Sequence, residues 1–389
     1  MASSAGTGHT GTASAGTAAA GPLFDPEVYR NRMRRAAELT RDAGLDALVV
    51  APGPDLRYLV GSRAETFERL TALVIPAAGD PRLVIARLEV PSLSASAVGD
   101  LGIEVADWVD GDDAHGLALA GLSPQPRIAV SDSMPALHVI PLAQHTGATP
   151  QLATAVLREL RMIKDAAEID ALRRAGAAID RVHARMGDWL IPGRTEREVS
   201  ADIEQAILAE GHTEAAFIIV GSGPNGADPH HEFSDRVIER SDIVVIDIGG
   251  PVEPGYNSDS TRTYCFGEPP SDVADAYAAL HDAQRAAVAA VRPGVTAASI
   301  DATARDLLRS RGLAEQFIHR TGHGIGLSVH EEPYIVDGND ITLRPGMAFS
   351  VEPGVYFSGR WGARIEDIVV VTDDGCESLN NRPHELVRL

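Results

Sequence analysis

Between residues 23 and 154, short apolar runs alternate with segments whose apolar side chains recur at helical spacing. The first such segment predicts a helix over residues 26–43. The apolar runs predict five short strands, at 46–50, 71–76, 82–87, 103–108 and 127–131. Short strands separated by helical segments are typical of a small α/β domain. The glycine, proline and polar residues of GATPQ predict that this domain ends near residue 151.

The second half of the chain begins with a long helix, whose start is marked by a capping box. Asp165 stands three residues before Glu168, so each side chain can bond the backbone N–H of the other residue. Pro192 and Gly193 predict where the helix ends. Its apolar face consists of Ile169, Leu172, Ile179, Val182, Met186 and Leu190.

Two segments of the second half resemble each other. Residues 192–211 and 293–312 align without gaps, and each begins with Pro-Gly, has a threonine at its fourth position and ends with Gly. After each closing glycine come an apolar stretch and a histidine, which are His230 and His330. Two similar halves that each deliver polar groups predict a site on a pseudo-two-fold axis between them. The alternative is that two unrelated helical hairpins share the same cap and turn chemistry.

Charge and cysteine content narrow the classes of partner and compartment. The formal net charge of -21 disfavours nucleic acid and anionic membranes as partners and is compatible with cation binding. Cys265 and Cys376 are the two cysteines of the sequence and form no CxxC pair, so we predict a reducing compartment, the cytoplasm. No apolar run approaches the roughly eighteen residues that a membrane span needs.

The first 22 residues are almost entirely Ala, Gly, Ser and Thr. Such a segment has too few large apolar side chains to offset the entropy of ordering it, so we predict a disordered tail. The chain therefore divides into a low-complexity tail at 1–22, an α/β domain at 23–154 and a second domain at 155–389.

Carboxylates interrupt strand-like apolar runs in the second domain. In SDIVVIDIGG the run contains Asp247, and Asp259 follows twelve residues later in GYNSDSTRTYCF. Glu352 follows an apolar strand in MAFSVEPG, and Glu366 precedes another in ARIEDIVVVT. His323, within the glycine-rich GHGIG, lies between the two sets. A buried carboxylate is costly unless a cation or hydrogen-bond donors stabilise it.

Taken together, four carboxylates and one imidazole match a two-metal site for divalent cations that prefer oxygen ligands. Such a site activates a shared water and supports hydrolysis at a carbonyl or phosphoryl centre. Each residue alone has a simpler interpretation, because a single Asp in a strand is more often structural and glycines also mark tight turns. One histidine and no clustered cysteine disfavour a structural zinc site.

These segments resemble the pita-bread metallopeptidases, which include methionine aminopeptidase, aminopeptidase P, prolidase and creatinase relatives. DIVVIDIG, GYNSDSTRT, TGHGIGLSVHEEP, FSVEPG and RIEDIVVV occur in the order of that family, over about residues 155–389. The resemblance implies a creatinase-like N-terminal α/β domain, for which the sequence similarity is weaker than for residues 155–389. It further implies a pseudo-two-fold catalytic domain whose curved antiparallel sheet is flanked by helices.

The resemblance also implies roles for individual residues. Asp259 and Glu366 would bridge both metal ions, and Glu352 would also handle the proton of the attacking water. His330 would stabilise the carbonyl oxygen, His230 would bond the substrate from the opposite wall, and Arg364 would stand beside the metals. The full set of ligands that it implies is Asp247, Asp259, His323, Glu352 and Glu366.

Three further residues, His231, His319 and Glu331, are interpreted as supporting groups. The interval from Asp247 to Asp259 is one residue longer than the usual interval of the family. If the extra residue lies at the tip of a hairpin in GPVEPG, both acids keep their face of the sheet. Inside a strand it would turn Asp259 to the other face.

The creatinase-type domain and the histidines of PHH and VHE resemble the proline-specific branches. This implies a peptidase that cleaves an Xaa-Pro bond in a small peptide with proline in second position, as aminopeptidase P or as prolidase, through a hydroxide between two divalent ions. We predict manganese, with Co, Zn or Fe as alternatives, and a homodimer. A creatinase-type hydrolase without metal, a metal-dependent lyase and an inactive binding protein remain open.

Overall fold

The structure is a computed structural model that describes residues 24–64 and 68–389. The tail predicted at 1–22 lies outside the described residues. Among the helices that the structure describes, none is both long and apolar enough to span a membrane.

Six strands form the mixed sheet of the first domain. They are β1 (Ala47–Val50), β2 (Ala72–Pro76), β3 (Arg82–Ala86), β4 (Glu104–Trp108), β5 (Ile128–Val130) and β6 (Gln151–Leu152). Their order is β4-β3-β2-β1-β5-β6, with β2 antiparallel to both of its neighbours and the other pairs parallel. The first five agree with the predicted ranges to within one residue at each end, and β6 was not predicted.

Helices cover both faces of this sheet. They are α1 (Pro26–Asp42), α2 (Pro54–Val60), α3 (Val98–Leu101), α4 (Ala114–Leu119), α5 (Ala136–Thr146) and α6 (Thr154–Arg161). Alternate residues of β1 enter different cores, with Leu48 facing α1, α2 and α6, and Val49 facing α4 and α5. This alternation follows from the two-residue period of a strand. The domain boundary at 154 stays a prediction.

The second domain contains four long helices and eleven strands among the described residues. The helices are α7 (Ala166–Ala184), α8 (Glu196–Ala209), α9 (Ser271–Ala290) and α10 (Ala297–Ser310). The strands are β7 (Phe217–Ser222), β8 (Ile243–Val252), β9 (Tyr256–Cys265), β10 (Gly322–Gly324), β11 (Glu331–Ile335), β12 (Ala348–Val351), β13 (Gly354–Phe357), β14 (Trp361–Arg364), β15 (Asp367–Val371), β16 (Cys376–Ser378) and β17 (Val387–Arg388).

The order of these elements repeats, as the sequence similarity predicts. In each half a pair of helices precedes a sheet of mainly antiparallel strands, in the orders β17-β9-β8-β7 and β11-β10-β12-β15-β16. The β17–β9 pair is parallel, and β13-β14 is a separate antiparallel ribbon. The similar segments form α8 and α10, each with a threonine at its N-cap: Thr195 accepts from the Glu198 N–H and Thr296 from the Ser299 N–H. The cap chemistry that the segments share therefore starts the equivalent helix in each half.

Helix α7 starts as predicted and ends earlier than predicted. Asp165 and Glu168 form the reciprocal capping box. The helix ends at Ala184 rather than near Pro192, and a 3₁₀ turn over Met186–Asp188 follows it. Met186 and Leu190 are nevertheless buried, since the turn keeps them on the core side. Apolar spacing therefore does not distinguish this turn from a continued helix.

Ion pairs join the two domains beside the loop that carries His330. Arg161 binds both Asp55 of α2, at 2.7 Å, and Glu331, while Lys164 Nζ lies 2.5 Å from Glu331 Oε1. A second contact joins Arg57 and Glu253 at 3.2 Å. The first domain is thus fixed to the strand that follows His330 and to the β8–β9 turn.

Candidate metal centre and substrate cavity

Asp247 and Asp259 lie on one face of the β8–β9 hairpin. Asp247 is paired with Thr261, and Asp259 is paired with Gly249. The two acids are therefore diagonal neighbours, which is within side-chain reach. The register runs unbroken to Val252 opposite Tyr256, so the extra residue of this interval is absorbed in the turn. The prediction that both acids keep their face is confirmed.

The second half brings its two acids together at strand ends. Glu352 directly follows β12, and Glu366 directly precedes β15. Those strands are antiparallel, with Val351 opposite Asp367, so Glu352 and Glu366 extend the same ladder by one step. Thr261 Oγ1 of β9 donates to Glu366 Oε2 at 2.7 Å and so links the two halves.

His323 joins both sets of acids from β10. Its Nε2 lies 3.2 Å from Glu352 Oε1 and 3.6 Å from Asp259 Oδ2. Ligand atoms of Asp259, His323 and Glu366 all lie within 4.8 Å of one another. Nδ1 lies 3.1 Å from the carbonyl oxygen of Gly324. Because a carbonyl only accepts, Nδ1 carries a proton, and Nε2 is the ring nitrogen that faces the acids.

The glycine before His323 is required by close packing. A Cβ on Gly322 would lie 1.8 Å from the carbonyl oxygen of Ser350, so any larger residue would push β10 away from β12. Ser350 Oγ accepts from the His323 N–H at 3.0 Å and lies 3.0 Å from Glu352 Oε1. The backbone approach thus fixes the imidazole next to the carboxylates.

The carboxylates carry more negative charge than the described side chains neutralise. Asp247, Asp259, His323 and Glu366 are buried, and Arg364 is the arginine beside them, with Nη2 2.6 Å from Asp247 Oδ2. Burial raises the pKa of Asp259 and of Glu366 well above the ordinary range, and the neighbouring acids raise it further. Such a cluster favours a bound cation.

The pKa of Glu352 is shifted in the opposite direction, below its ordinary value. Burial opposes its ionisation, but the hydrogen bond and charge of His323 lower the pKa of Glu352 to about 2. The same pair raises the pKa of His323, against the effect of burial. Glu352 is therefore ionised at neutral pH and able to accept a proton.

The donor set fits divalent cations. Asp247 Oδ1 is buried and has no hydrogen-bond partner among the described residues, which leaves a carboxylate oxygen available as a ligand. Four carboxylates and a single imidazole suit hard or borderline divalent ions. The residues that the sequence analysis singled out as ligands therefore fit the group that their chemistry implies.

These residues line one cavity of about 1020 Å³. Its wall also holds the three further residues that sequence analysis proposed: His230, His330 and Arg364. The rings of His323 and His330 lie 4.1 Å apart, edge to face. Burial, followed by the charge of His323, lowers the pKa of His330 to about 4, so His330 is neutral at neutral pH.

Arg364 is held in place at each of its three nitrogens. Besides the bond to Asp247, its Nε lies 3.0 Å from Thr261 Oγ1 and its Nη1 lies 2.6 Å from the Tyr356 hydroxyl oxygen. His319 Nε2 reaches the same hydroxyl at 2.9 Å. His319 thus touches the site through Tyr356, and it also lines the cavity.

Sequence reasoning missed Glu196, a fully buried residue of α8 that organises the loop of His230. It accepts hydrogen bonds from Ser222, Asn225 and Ser234, and from His231 Nε2 at 2.8 Å. An acid in the first turn of a helix is normally a surface capping residue, so no signal in the sequence distinguished it.

Asp301 has a similar role in the second half and was missed for the same reason. This buried residue of α10 accepts from the N–H and the hydroxyl of Thr321, at 3.0 and 2.8 Å. Thr321 lies two residues before His323. The acid therefore anchors the loop that delivers the imidazole.

Comparison with known proteins agrees with this fold and site. Residues 170–373 match the model of metallopeptidase family M24, and residues 32–163 match the creatinase/prolidase N-terminal domain. The chain belongs to metallopeptidase family M24. It is accordingly a metal-dependent peptidase with a creatinase-type first domain and a pita-bread second domain, which confirms the predicted fold class.

Individual relatives are similar over most of the chain. A probable dipeptidase PepE of Mycobacterium tuberculosis is 66% identical over 94% of this chain and 97% of its own length. A Xaa-Pro dipeptidase of Pyrococcus horikoshii is 31% identical over 93% of this chain and 100% of its own. The crystal structure of dipeptidase PepE from Mycobacterium ulcerans superposes with a TM-score of 0.91, at 65% identity, over 94% of this chain and 99% of that one.

Proposed function

We propose that this chain is a dinuclear metal-dependent dipeptidase that hydrolyses the Xaa-Pro bond. The observation that carries the proposal is the convergence of four carboxylates and one imidazole on a cavity where described cations do not neutralise them. The names of the similar proteins, dipeptidase and Xaa-Pro dipeptidase, support the dipeptide as substrate class.

The residues that would hold two divalent ions are Asp247, Asp259, His323, Glu352 and Glu366. Asp259 and Glu366 would be the ligands shared by both ions, as the family resemblance implies; they come from different halves of the domain, and Thr261, two residues after Asp259, donates to Glu366. Bound ions would supply an activated water and a positive charge that polarises the scissile carbonyl. Manganese stays the predicted metal, with Co, Zn or Fe as alternatives.

Glu352 would accept the proton of the attacking water. Its low pKa keeps it ionised, and its contact with His323 and Ser350 holds one carboxylate oxygen in place. The proton can then pass to the leaving nitrogen of the proline, as general acid–base catalysis requires.

His330 and His230 would hold the substrate from opposite walls. His330 is neutral, so one ring nitrogen can donate a hydrogen bond to the carbonyl oxygen while charge develops on it. His230 follows Asp228, whose side chain accepts from the His230 N–H at 3.0 Å and fixes the backbone there. Arg364 would orient Asp247 and favour its ionised form, while burial, the larger effect, raises the pKa of Asp247.

The decisive assay compares hydrolysis of Ala-Pro, Ala-Pro-Ala and Ala-Ala by the manganese-loaded chain. We expect cleavage of Ala-Pro and little of the other two peptides. Preferred cleavage of Ala-Pro-Ala would instead identify an aminopeptidase P. Cleavage of none of them by a protein with a full metal complement would reject the peptidase specificity and favour a lyase.

A His330→Ala variant tests the role of the second histidine. It should retain its metal and lose about 10²- to 10³-fold in kcat, the usual effect of removing one hydrogen-bond donor to a developing oxyanion. Metal analysis alongside the assay separates this role from ligation. An unchanged rate would return His330 to a structural role.

The predicted homodimer and the cytoplasmic location stay predictions. Cys265 and Cys376 are free thiols, which suits a reducing compartment.

A further inference from the structure

Arg320 is a cation of the cavity wall that has no acidic partner among the described residues. It lies three residues before His323, is half-buried, and lines the same cavity. Across residues 24–64 and 68–389, no carboxylate oxygen lies within 4.0 Å of its guanidinium. A half-buried cation that lacks an ion pair, in a cavity rich in acids, suits an anionic ligand.

The other arginine of the cavity is already occupied. All three nitrogens of Arg364 bond to Asp247, Thr261 and Tyr356. Its two remaining N–H groups belong to a side chain that is only 3% exposed. Of the two arginines that line the cavity, Arg320 is therefore the more accessible to a substrate carboxylate, and no described acidic side chain pairs with its guanidinium.

Arg320 is positioned relative to the candidate metal centre by its stacking partner. The guanidinium carbon lies 4.6 Å from the centre of the Tyr334 ring. Tyr334 is the residue of β11 directly opposite His323 of β10, and side chains opposite each other in an antiparallel pair point to the same face. Arg320 thus packs against the residue that is paired with His323. Stacking covers the guanidinium face and leaves its N–H edge free to bind a carboxylate.

The acids of the cavity rim lie on other elements. Glu204 belongs to α8, and Glu232 follows β7, so both come from the first half of the domain. Arg320, His323 and His330 come from the second half. A dipeptide carries an ammonium at one end and a carboxylate at the other, and the rim acids disfavour the carboxylate on the first-half side.

We infer that Arg320 binds the free carboxylate of the dipeptide substrate and so selects dipeptides over longer peptides. This inference rests on the proposed function and adds the determinant of substrate length. In a longer peptide the carboxyl group after proline is part of a peptide bond, so it offers no charge to the guanidinium. Arg320 is a specificity residue in this account and takes no part in the bond cleavage.

The test compares the wild type with Arg320→Ala and Arg320→Lys on Ala-Pro and on Ala-Pro-amide, which lacks the carboxylate charge. The amide is measured as a substrate where it is cleaved and as a competitive inhibitor of Ala-Pro cleavage otherwise. We expect Arg320→Ala to raise KM for Ala-Pro by about tenfold to hundredfold, the range for loss of a charge-assisted hydrogen bond. Its affinity for the amide should change less than about threefold. The KM of Arg320→Lys for Ala-Pro should lie between those of the wild type and Arg320→Ala, since lysine keeps the positive charge and loses the planar guanidinium.

Arg309→Ala is the matched control, because Arg309 lies on the exposed side of α10 and pairs with Asp306 at the surface. Arg309→Ala should leave both the KM for Ala-Pro and the affinity for Ala-Pro-amide unchanged. If Arg320→Ala weakened the binding of Ala-Pro and of its amide equally, or weakened neither, the assignment of Arg320 would be overturned. Failure of the wild type to cleave Ala-Pro at all would overturn the proposed function and this inference with it.

Discussion

At the scale of single residues, the site consists of carboxylates that are buried beside one another. Asp259 and Glu366 have raised pKa values because they are desolvated and because each adds to the negative charge around the other. The protein supplies Arg364 and His323 as counter-charges, which are fewer than the four carboxylates of the site. Metal binding and stability are therefore coupled through the same side chains.

Glu366→Ala should remove bound metal and activity together. The residue comes from the second half and is linked through Thr261 to the strand of Asp259, so its loss opens the cluster between the halves. We expect kcat/KM to fall by more than about 100-fold, the upper range for residues that merely support a ligand. Metal content by emission spectrometry is the direct measurement, with the surface variant Glu377→Ala as control. A normal metal content would refute the bridging role.

In the absence of metal, Glu366→Gln should make the protein more stable than the wild type. With a raised folded-state pKa, the folded chain keeps a proton that the unfolded chain releases above about pH 4. The contribution of Glu366 to the free energy of unfolding therefore falls as the pH rises above that value. Gln does not titrate, so the variant does not undergo this loss. In a chelator, the melting temperature of the variant should exceed that of the wild type increasingly from about pH 5 to pH 7.5. Added manganese should reverse the order, and a constant difference at all pH values would contradict the account.

At the scale of elements, the repeated helices anchor the loops of the site. Glu196 of α8 holds the loop that carries His230, and Asp301 of α10 holds the loop that carries His323. Each carboxylate is buried and accepts hydrogen bonds from its loop. Through these two carboxylates the helices position histidines on both sides of the cavity.

Glu196→Ala should loosen the first of these loops. The change leaves several buried donors unpaired, and we expect the free energy of unfolding to fall by about 3 kcal/mol. KM for Ala-Pro should rise while metal content stays normal, because no proposed ligand lies in that loop. Denaturant unfolding and metal analysis measure the two effects. Glu198→Ala, which removes only the exposed capping box of the same helix, should cost about 1 kcal/mol and leave KM unchanged.

Prediction of elements from sequence succeeded where local chemistry decides them. Five of the six strands of the first domain, the capping box of Asp165 and the repeated helix starts all follow from short-range spacing and cap residues. The predicted end of α7 was wrong because the 3₁₀ turn that follows the helix continues the same apolar face. The roles of Glu196 and Asp301 could not be predicted, since the loop residue that Asp301 anchors, Thr321, lies 20 residues away and the partners of Glu196 lie 26 or more residues away.

At the scale of the whole molecule, the first domain is tied to the strand beside His330. Glu331 is buried between Arg161 and Lys164, and Arg161 also reaches Asp55 of the first domain. Burial opposes the ionisation of Glu331, but these two cations lower its pKa below the ordinary range. The network therefore holds a charged acid between the two domains.

Glu331→Ala should weaken this contact, because it leaves two buried cations without their shared acid. Breaking a buried ion pair from one side costs about 3 to 5 kcal/mol, and we expect a loss of that size in the free energy of unfolding. Faster proteolysis between residues 150 and 165 would show that the domains separate. Asp337→Ala, an exposed acid near the end of β11, serves as control. An unchanged stability would show that the network makes no net contribution.

The sequence by itself determined the fold class, the strands, the helix starts and the identity of the acidic and histidine residues, because each depends on spacing along the chain or on a motif. Only the tertiary structure decided which side chains meet: that Asp247 and Asp259 share a face, that Glu366 accepts from Thr261 on the strand of Asp259, and that Arg364 bonds to three neighbours while Arg320 has no acidic partner among the described residues. These facts depend on strand register and on contacts between distant segments. Local spacing does not encode either of them.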